Sequence, residues 1–142
     1  MSYVELQVTS HFSFLRGASS CEELFAAAAL LDIPALGICD RSSLAGIVRA
    51  YEAARTTGVR LVVGCRLDLT DGTAILVYPT DRPAYARLCR LLSLGKSRAG
   101  KGACHLGWED LEAWNEGLLA VLVPDKADAI CERQLHQLRA MF

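Results

Sequence analysis

VELQVTSHFSFLRGASS, residues 4–20, decides how the chain is read. Val4, Leu6 and Val8 alternate with Glu5, Gln7 and Thr9. That alternation predicts a strand with one apolar face and one face able to hold chemistry. A polar and aromatic turn carrying His11 follows, and the chain enters a helix at Ser19 or Ser20. Whether Glu5, Gln7 and Thr9 form a working site is the question this stretch poses.

Working outward, CEELFAAAALLD reads as a helix with Leu24, Ala27, Ala28 and Leu31 on one face. A serine cap and Glu22/Glu23 in the first turn support it. ALGIC, residues 35–39, is a short apolar run between helices, the mark of a buried parallel strand. A polar loop from Asp40 leads to a second helix, SLAGIVRAYEAART, with Leu44, Ile47, Val48 and Tyr51 as the buried stripe and Gly58 as its stop. Residues 60–69 read as one strand, Asp71-Gly72 as a hairpin turn and TAILVY as the returning strand. A helix over residues 82–94 with Tyr85, Leu88 and Leu92 on one face precedes a Gly/Lys-rich loop, GKSRAGKGACHLG. WEDLEAWNEG is a short helix and LLAVLVP a fifth strand; a last helix starts at Asp125 or Lys126 and carries Cys131, Leu135, Leu138 and Phe142. Strands alternating with helices predict an α/β fold, mostly parallel, with one hairpin. Functional residues in such folds gather at the carboxyl ends of strands. No cap follows the last helix, which suggests a chain cut from something longer.

Bulk properties exclude several classes. The chain has 142 residues and is 52% hydrophobic, enough for one folded domain. Its net charge of −1 gives no global pull toward nucleic acid or anionic membrane. No apolar run approaches the ~20 residues of a membrane span, and MSYVELQ lacks the features of a signal peptide. Six widely spaced cysteines form no C-x-x-C pair, so reduced thiols and a cytoplasmic setting are expected.

Individual motifs leave alternatives open. Gly95-Lys96-Ser97 is not a phosphate-binding loop: Arg90 stands where that pattern needs glycine, and a helix precedes it. Arg87, Arg90, Lys96, Arg98 and Lys101 are a solvated basic group or contacts to a nucleic-acid backbone or acidic partner. His11, Asp40, Asp68 and His105 are metal-site or catalytic candidates by type but do not cluster in sequence. Asp40 either joins a site or caps the following helix, and Asp68 either pairs with Arg66 or lies exposed. Arg16, Arg41 and Arg66 fall near strand ends. Arg41 and Arg66 either approach Glu5, replacing an ion with an Arg–carboxylate pair, or project into solvent.

Four separated segments, VELQVTSHFSFLRGAS, PALGICDRSSLAGIVRAY, VRLVVGCRLDL and AYARLCRLLSLGKSRAGKG, together resemble the start of a bacterial C-family DNA polymerase α subunit. SFLRGAS, DR-x-x-LAGIVRA and GCRLDLTDG resemble its error-prone, damage-induced branch. The corresponding region there is a PHP (polymerase and histidinol phosphatase) domain. The resemblance implies the N-terminal part of a distorted (β/α)7 barrel over residues 1–142, whose active members hold up to three metal ions and hydrolyse phosphoesters. The family's His-x-His pair falls on Gln7 and Thr9, the acidic or His position before it on Glu5, and Asp-His on Asp40-Arg41. A bridging Glu falls on Arg66 and a later His approximately on Ala74. Gln and Thr are poor ligands beside His, and Arg brings positive charge to a place meant for cations.

The resulting expectation is a degenerate metal site and a structural domain with no catalysis or cofactor of its own. The parent would be a magnesium-dependent DNA polymerase serving lesion bypass and damage-induced mutagenesis. Expected partners are the remainder of the polymerase, DNA through the parent, other mutagenesis proteins and the sliding clamp. Lys96, Arg98 and Lys101 are the candidate contacts, and open edges favour self-association of the piece. The alternatives are a metal-dependent phosphoesterase or 3′–5′ exonuclease, and a DNA- or protein-binding module.

Overall fold

The apolar run from Ala35 becomes the middle strand of a three-stranded parallel sheet. The computed structural model describes residues 3–142. They divide into two compact units, Met1–Cys65 and Arg66–Phe142.

The first unit runs β1 (Glu5–Val8), α1 (Cys21–Leu30), β2 (Ala35–Ile38), α2 (Ile47–Thr57) and β3 (Arg60–Val63). β2 pairs in parallel with β1 and with β3, and the β2–β3 register runs from Ala35 opposite Arg60 to Ile38 opposite Val63. Every residue of β2 is buried. Leu36 and Ile38 face a core built from Cys21, Phe25 and Ala28 of α1 and Ile47, Ala50 and Ala53 of α2. Ser20 caps α1: its hydroxyl accepts the Glu23 N–H, while its own N–H donates to Glu23 Oε2 at 2.8 Å. Gly58 ends α2 at φ +77°, a conformation glycine adopts without steric cost. At Gly37 a Cβ would stand 2.5 Å from the Leu6 carbonyl oxygen, so glycine lets β1 approach β2.

Several stripe assignments change. α1 buries Cys21, Phe25 and Ala28, whereas Ala27 and Leu31 are exposed. α2 buries Ile47, Ala50 and Ala53, leaving Val48 and Tyr51 exposed. Alanines share the buried stripe with one large side chain on each helix, Phe25 on α1 and Ile47 on α2. The alternation in β1 does not yield one buried face, because Leu6 is exposed while Val8 packs on the core. The β1–β2 register shifts between Glu5 and Val8, which breaks the two-residue period.

The second unit holds the sheet order β4–β5–β6, where β4 is Cys65–Asp68, β5 Ala74–Pro79 and β6 Leu118–Val123. Residues 60–69 are two strands rather than one, interrupted at Gly64. The expected turn is present: Leu69 N–H donates to Thr73 O at 2.8 Å, and Gly72 has φ +90°. β6 runs antiparallel to β5, from Ala74 opposite Val123 to Pro79 opposite Leu118, so this sheet departs from the parallel pattern of the first unit. α3 is Arg82–Ser97, α4 Trp108–Trp114 and α5 Ala129–Met141. α3 buries Ala84, Leu88, Leu91, Leu92 and Gly95; Tyr85 is only half-buried. Gly95, Lys96 and Ser97 therefore close this helix instead of opening a loop. α5 starts after Asp128, whose carboxylate accepts the Ile130 and Cys131 N–H groups, and Leu138 alone of its expected apolar face is fully buried. Among the described residues, no helix is long and apolar enough to cross a membrane.

Candidate functional site

Asp40 is the residue on which the carboxyl ends of β1 and β2 meet. Its side chain is 1% exposed. Oδ1 accepts the Ser10 N–H at 2.8 Å and the Ser13 hydroxyl at 2.7 Å, and Oδ2 accepts the Ser10 hydroxyl at 2.7 Å. The Ser13 hydroxyl oxygen in turn accepts the Arg41 N–H at 2.9 Å. Asp40 thus ties the loop after β1 to the loop after β2. It does not cap α2, whose N-cap is Gly46 with no side-chain hydrogen bond. Gly46 leaves the room Asp40 needs: a Cβ there would stand 3.1 Å from Oδ2 and 2.8 Å from the Phe12 ring.

The loop between β1 and α1 is fixed at further points. His11 N–H donates to Ser19 O at 2.9 Å, its Nδ1 lies 3.2 Å from the same oxygen, and its ring stacks on Phe12. Gly17 has no space for a side chain, since a Cβ would stand 2.2 Å from Ser10 O. The exposed tip carries Phe14 and Leu15, the latter at φ +60°. Buried beneath, the Cys21 thiol is pushed above its ordinary pKa, first by burial and then by the charge of Asp40.

The polar positions of β1 point elsewhere. Glu5 accepts the Tyr3 hydroxyl and, at 2.9 Å, the Gln7 N–H. Those bonds, the Tyr3 hydroxyl first, hold its carboxyl below the ordinary carboxylate value. The Glu5 carboxylate is thus engaged locally, by Tyr3 and Gln7. Gln7 is exposed and Thr9 half-buried. Arg41 is half-buried beside the Asp40 cluster.

In the second unit, Arg66 Nε donates to Asp68 Oδ1 at 2.9 Å, the local pairing open in the sequence. Ala74 begins β5, buried opposite Val123. Arg98 is held by Asp110 through two contacts of 2.9 and 2.8 Å from Nη1, which commits it within the fold. Asp110 also accepts the Gly107 N–H at the start of α4. Lys96 and Lys101 are exposed. His105 is exposed, and His136 lies 3.9 Å from Glu132.

The donor set does not fit a metal centre. In the first unit Gln7, Thr9 and Arg41 offer an amide, a hydroxyl and a guanidinium rather than imidazoles, and both Asp40 oxygens are engaged by Ser10 and Ser13. Among the described residues, no group of three or more His, Cys, Asp or Glu side chains is placed to hold an ion. Sequence reasoning did not foresee Ser10 and Ser13 as the partners of Asp40. Their S-x-x-S spacing in a polar turn was the available signal, but nothing in the sequence shows that Asp40 would reach them.

A parallel α/β unit with its polar cluster beyond the strand ends defines the class. The PHP domain family model matches residues 5–137, and the chain belongs to that family. It is 63% identical over 142 residues to Error-prone DNA polymerase 2 of Agrobacterium fabrum and 54% identical over 125 residues to the Error-prone DNA polymerase of Caulobacter vibrioides. These alignments cover 100% and 87% of the chain but only 13% and 12% of the relatives, so the chain spans about an eighth of their length. Among solved structures, an amidohydrolase from Chromobacterium violaceum with bound sulfate and no metal matches 97% of this chain and 74% of its own, with a TM-score of 0.71 and 20% identity. A candidate metal-dependent phosphoesterase from Bifidobacterium adolescentis matches 68% of this chain and 34% of its own, with a TM-score of 0.57 and 20% identity. Both share the fold.

Proposed function

We propose that this PHP domain is a non-catalytic structural part of an error-prone DNA polymerase. The parent adds nucleotides to DNA, with magnesium, during lesion bypass and damage-induced mutagenesis in the cytoplasm. The domain braces the polymerase core and offers surface to the remainder of that enzyme, to other mutagenesis proteins or to the sliding clamp.

The observation that carries this reading is the state of Asp40. Of the positions the family resemblance implies, Asp40 keeps its residue type and Glu5 an acidic one; Asp40 is turned inward onto Ser10 and Ser13, and Glu5 is engaged by Tyr3 and Gln7. Glu5, Gln7, Thr9 and Arg41 supply no replacement imidazole, and Arg66 and Ala74 supply none in the second unit. A carboxylate satisfied by three donors at 1% exposure organises loops; it has little capacity left for an ion.

Metal analysis of protein purified without chelator, together with digestion of end-labelled single-stranded DNA, tests the reading. The expected result is substoichiometric zinc, manganese and iron with no cleavage. Near-stoichiometric metal accompanied by 3′–5′ degradation would establish the phosphoesterase instead.

A further inference from the structure

α3 follows a different charge plan from the chain that carries it. Its sequence, RPAYARLCRLLSLGKS, contains Arg82, Arg87, Arg90 and Lys96 and no acidic residue, in a chain of net charge −1. At 3.6 residues per turn, the side opposite the buried stripe is one arc of about 120° that collects Arg82, Arg90, Lys96, Ser93 and Ser97. All five are exposed.

Neighbouring cations are already committed. Arg87 Nε donates to Glu116 O at 2.8 Å, and Arg98 is held by Asp110. Among the described residues Arg82, Arg90 and Lys96 make no ion pair. Helix stability does not account for this arrangement. Solvated faces ordinarily mix signs at i,i+3 and i,i+4, as Arg49–Glu52 does on α2 and Glu132–His136 on α5. The helix dipole favours Lys96 in the last turn but opposes Arg82 in the first.

We propose that this face of α3 binds the phosphate backbone of a nucleic-acid strand. The arc runs about 22 Å along the helix at ~1.5 Å per residue, long enough to follow several phosphates of one strand. No aromatic side chain lies on it to stack on bases, so the contact is with backbone and independent of sequence. An acidic protein fits less well, because protein interfaces centre on large apolar or aromatic residues and the arc has none. The inference goes beyond the non-catalytic reading and does not require it. Its test reads binding alone, so it can fail while the metal and cleavage results stand.

The test is fluorescence anisotropy of a labelled oligothymidylate titrated with the 142-residue chain at several salt concentrations. Combined Arg82→Gln, Arg90→Gln and Lys96→Gln should weaken binding at least ~10-fold at low salt. They should also flatten the slope of log K against log salt by up to ~2, from about 0.7 per single-strand phosphate contact. Arg49→Gln with Arg55→Gln on α2 should change neither. A photo-crosslinking amino acid incorporated biosynthetically in place of Ser93, in the otherwise unaltered chain, should capture the oligonucleotide. Unchanged affinity and slope in the triple variant would overturn the proposal. So would absence of the cross-link, or competition by polyglutamate as effective as by DNA of equal charge.

Discussion

Asp40→Ala tests whether the cluster beyond β1 and β2 is a structural clamp. The substitution removes the acceptor of the Ser10 N–H, the Ser10 hydroxyl and the Ser13 hydroxyl, at a position 1% exposed. Each hydrogen bond contributes about 1 kcal/mol net, and a buried donor left unsatisfied costs about 1–3 kcal/mol. The three donors share one acceptor, so the terms do not simply add. A loss of about 3–5 kcal/mol follows, a large share of the ~5–15 kcal/mol that holds a domain together. Asp40→Asn should cost less, about 1–2 kcal/mol, because the amide oxygen can still accept the Ser10 N–H and Ser13 hydroxyl. Urea denaturation followed by far-ultraviolet circular dichroism measures both. Trp108 and Trp114 lie in the second unit, so their fluorescence is not a direct probe of this cluster. Amide hydrogen exchange at Ser10 and Arg41 supplies that probe, and both should lose protection in Asp40→Ala. If Asp40→Ala matched or exceeded the parent chain in stability, the clamp would be refuted and Asp40 would look like a residue retained for chemistry at a cost in stability.

Other consequences are open to the same treatment. Gly37→Ala should destabilise the first unit by several kcal/mol, because the added Cβ meets Leu6 backbone at 2.5 Å, whereas Gly100→Ala, with nothing within 4 Å, should be nearly neutral in the same denaturation assay. Cys21, 0% exposed and with its thiol pushed up, should resist iodoacetamide until the chain unfolds; mass spectrometry should find the half-buried Cys89, Cys104 and Cys131 modified before it. Its raised pKa also favours the folded state below the ordinary value of 9.0, and that contribution is lost as pH rises above it, because the unfolded chain ionises first. Glu5 runs the other way. Its depressed pKa favours the folded state above the ordinary carboxylate value and is lost as pH falls through the folded one. Tyr3→Phe should return the Glu5 pKa toward the ordinary value in an NMR titration; an unmoved titration would show that the Tyr3 hydroxyl is not the cause.

What sequence determined is local. Strand and helix order, the Ser20 and Gly58 caps and the Asp71-Gly72 turn all follow from side-chain periodicity and turn chemistry, which act within a few residues. The residue types at positions 7, 9, 41, 66 and 74 are equally legible, and the proposal of a degenerate metal site starts from them. Tertiary structure decided where apolar stripes point and what the polar residues do. Val48 and Tyr51 stay exposed because α2 turns Ile47, Ala50 and Ala53 into the core instead. Glu5 went to Tyr3, Arg98 went to Asp110, and Lys96 was drawn from a supposed loop onto the cationic face of α3. Asp40 found Ser10 and Ser13 some thirty residues away along the chain, through a parallel crossover that brings two strand ends together. Hydrogen-bond partnership at that separation depends on side-chain placement in space, which no local pattern of residues encodes.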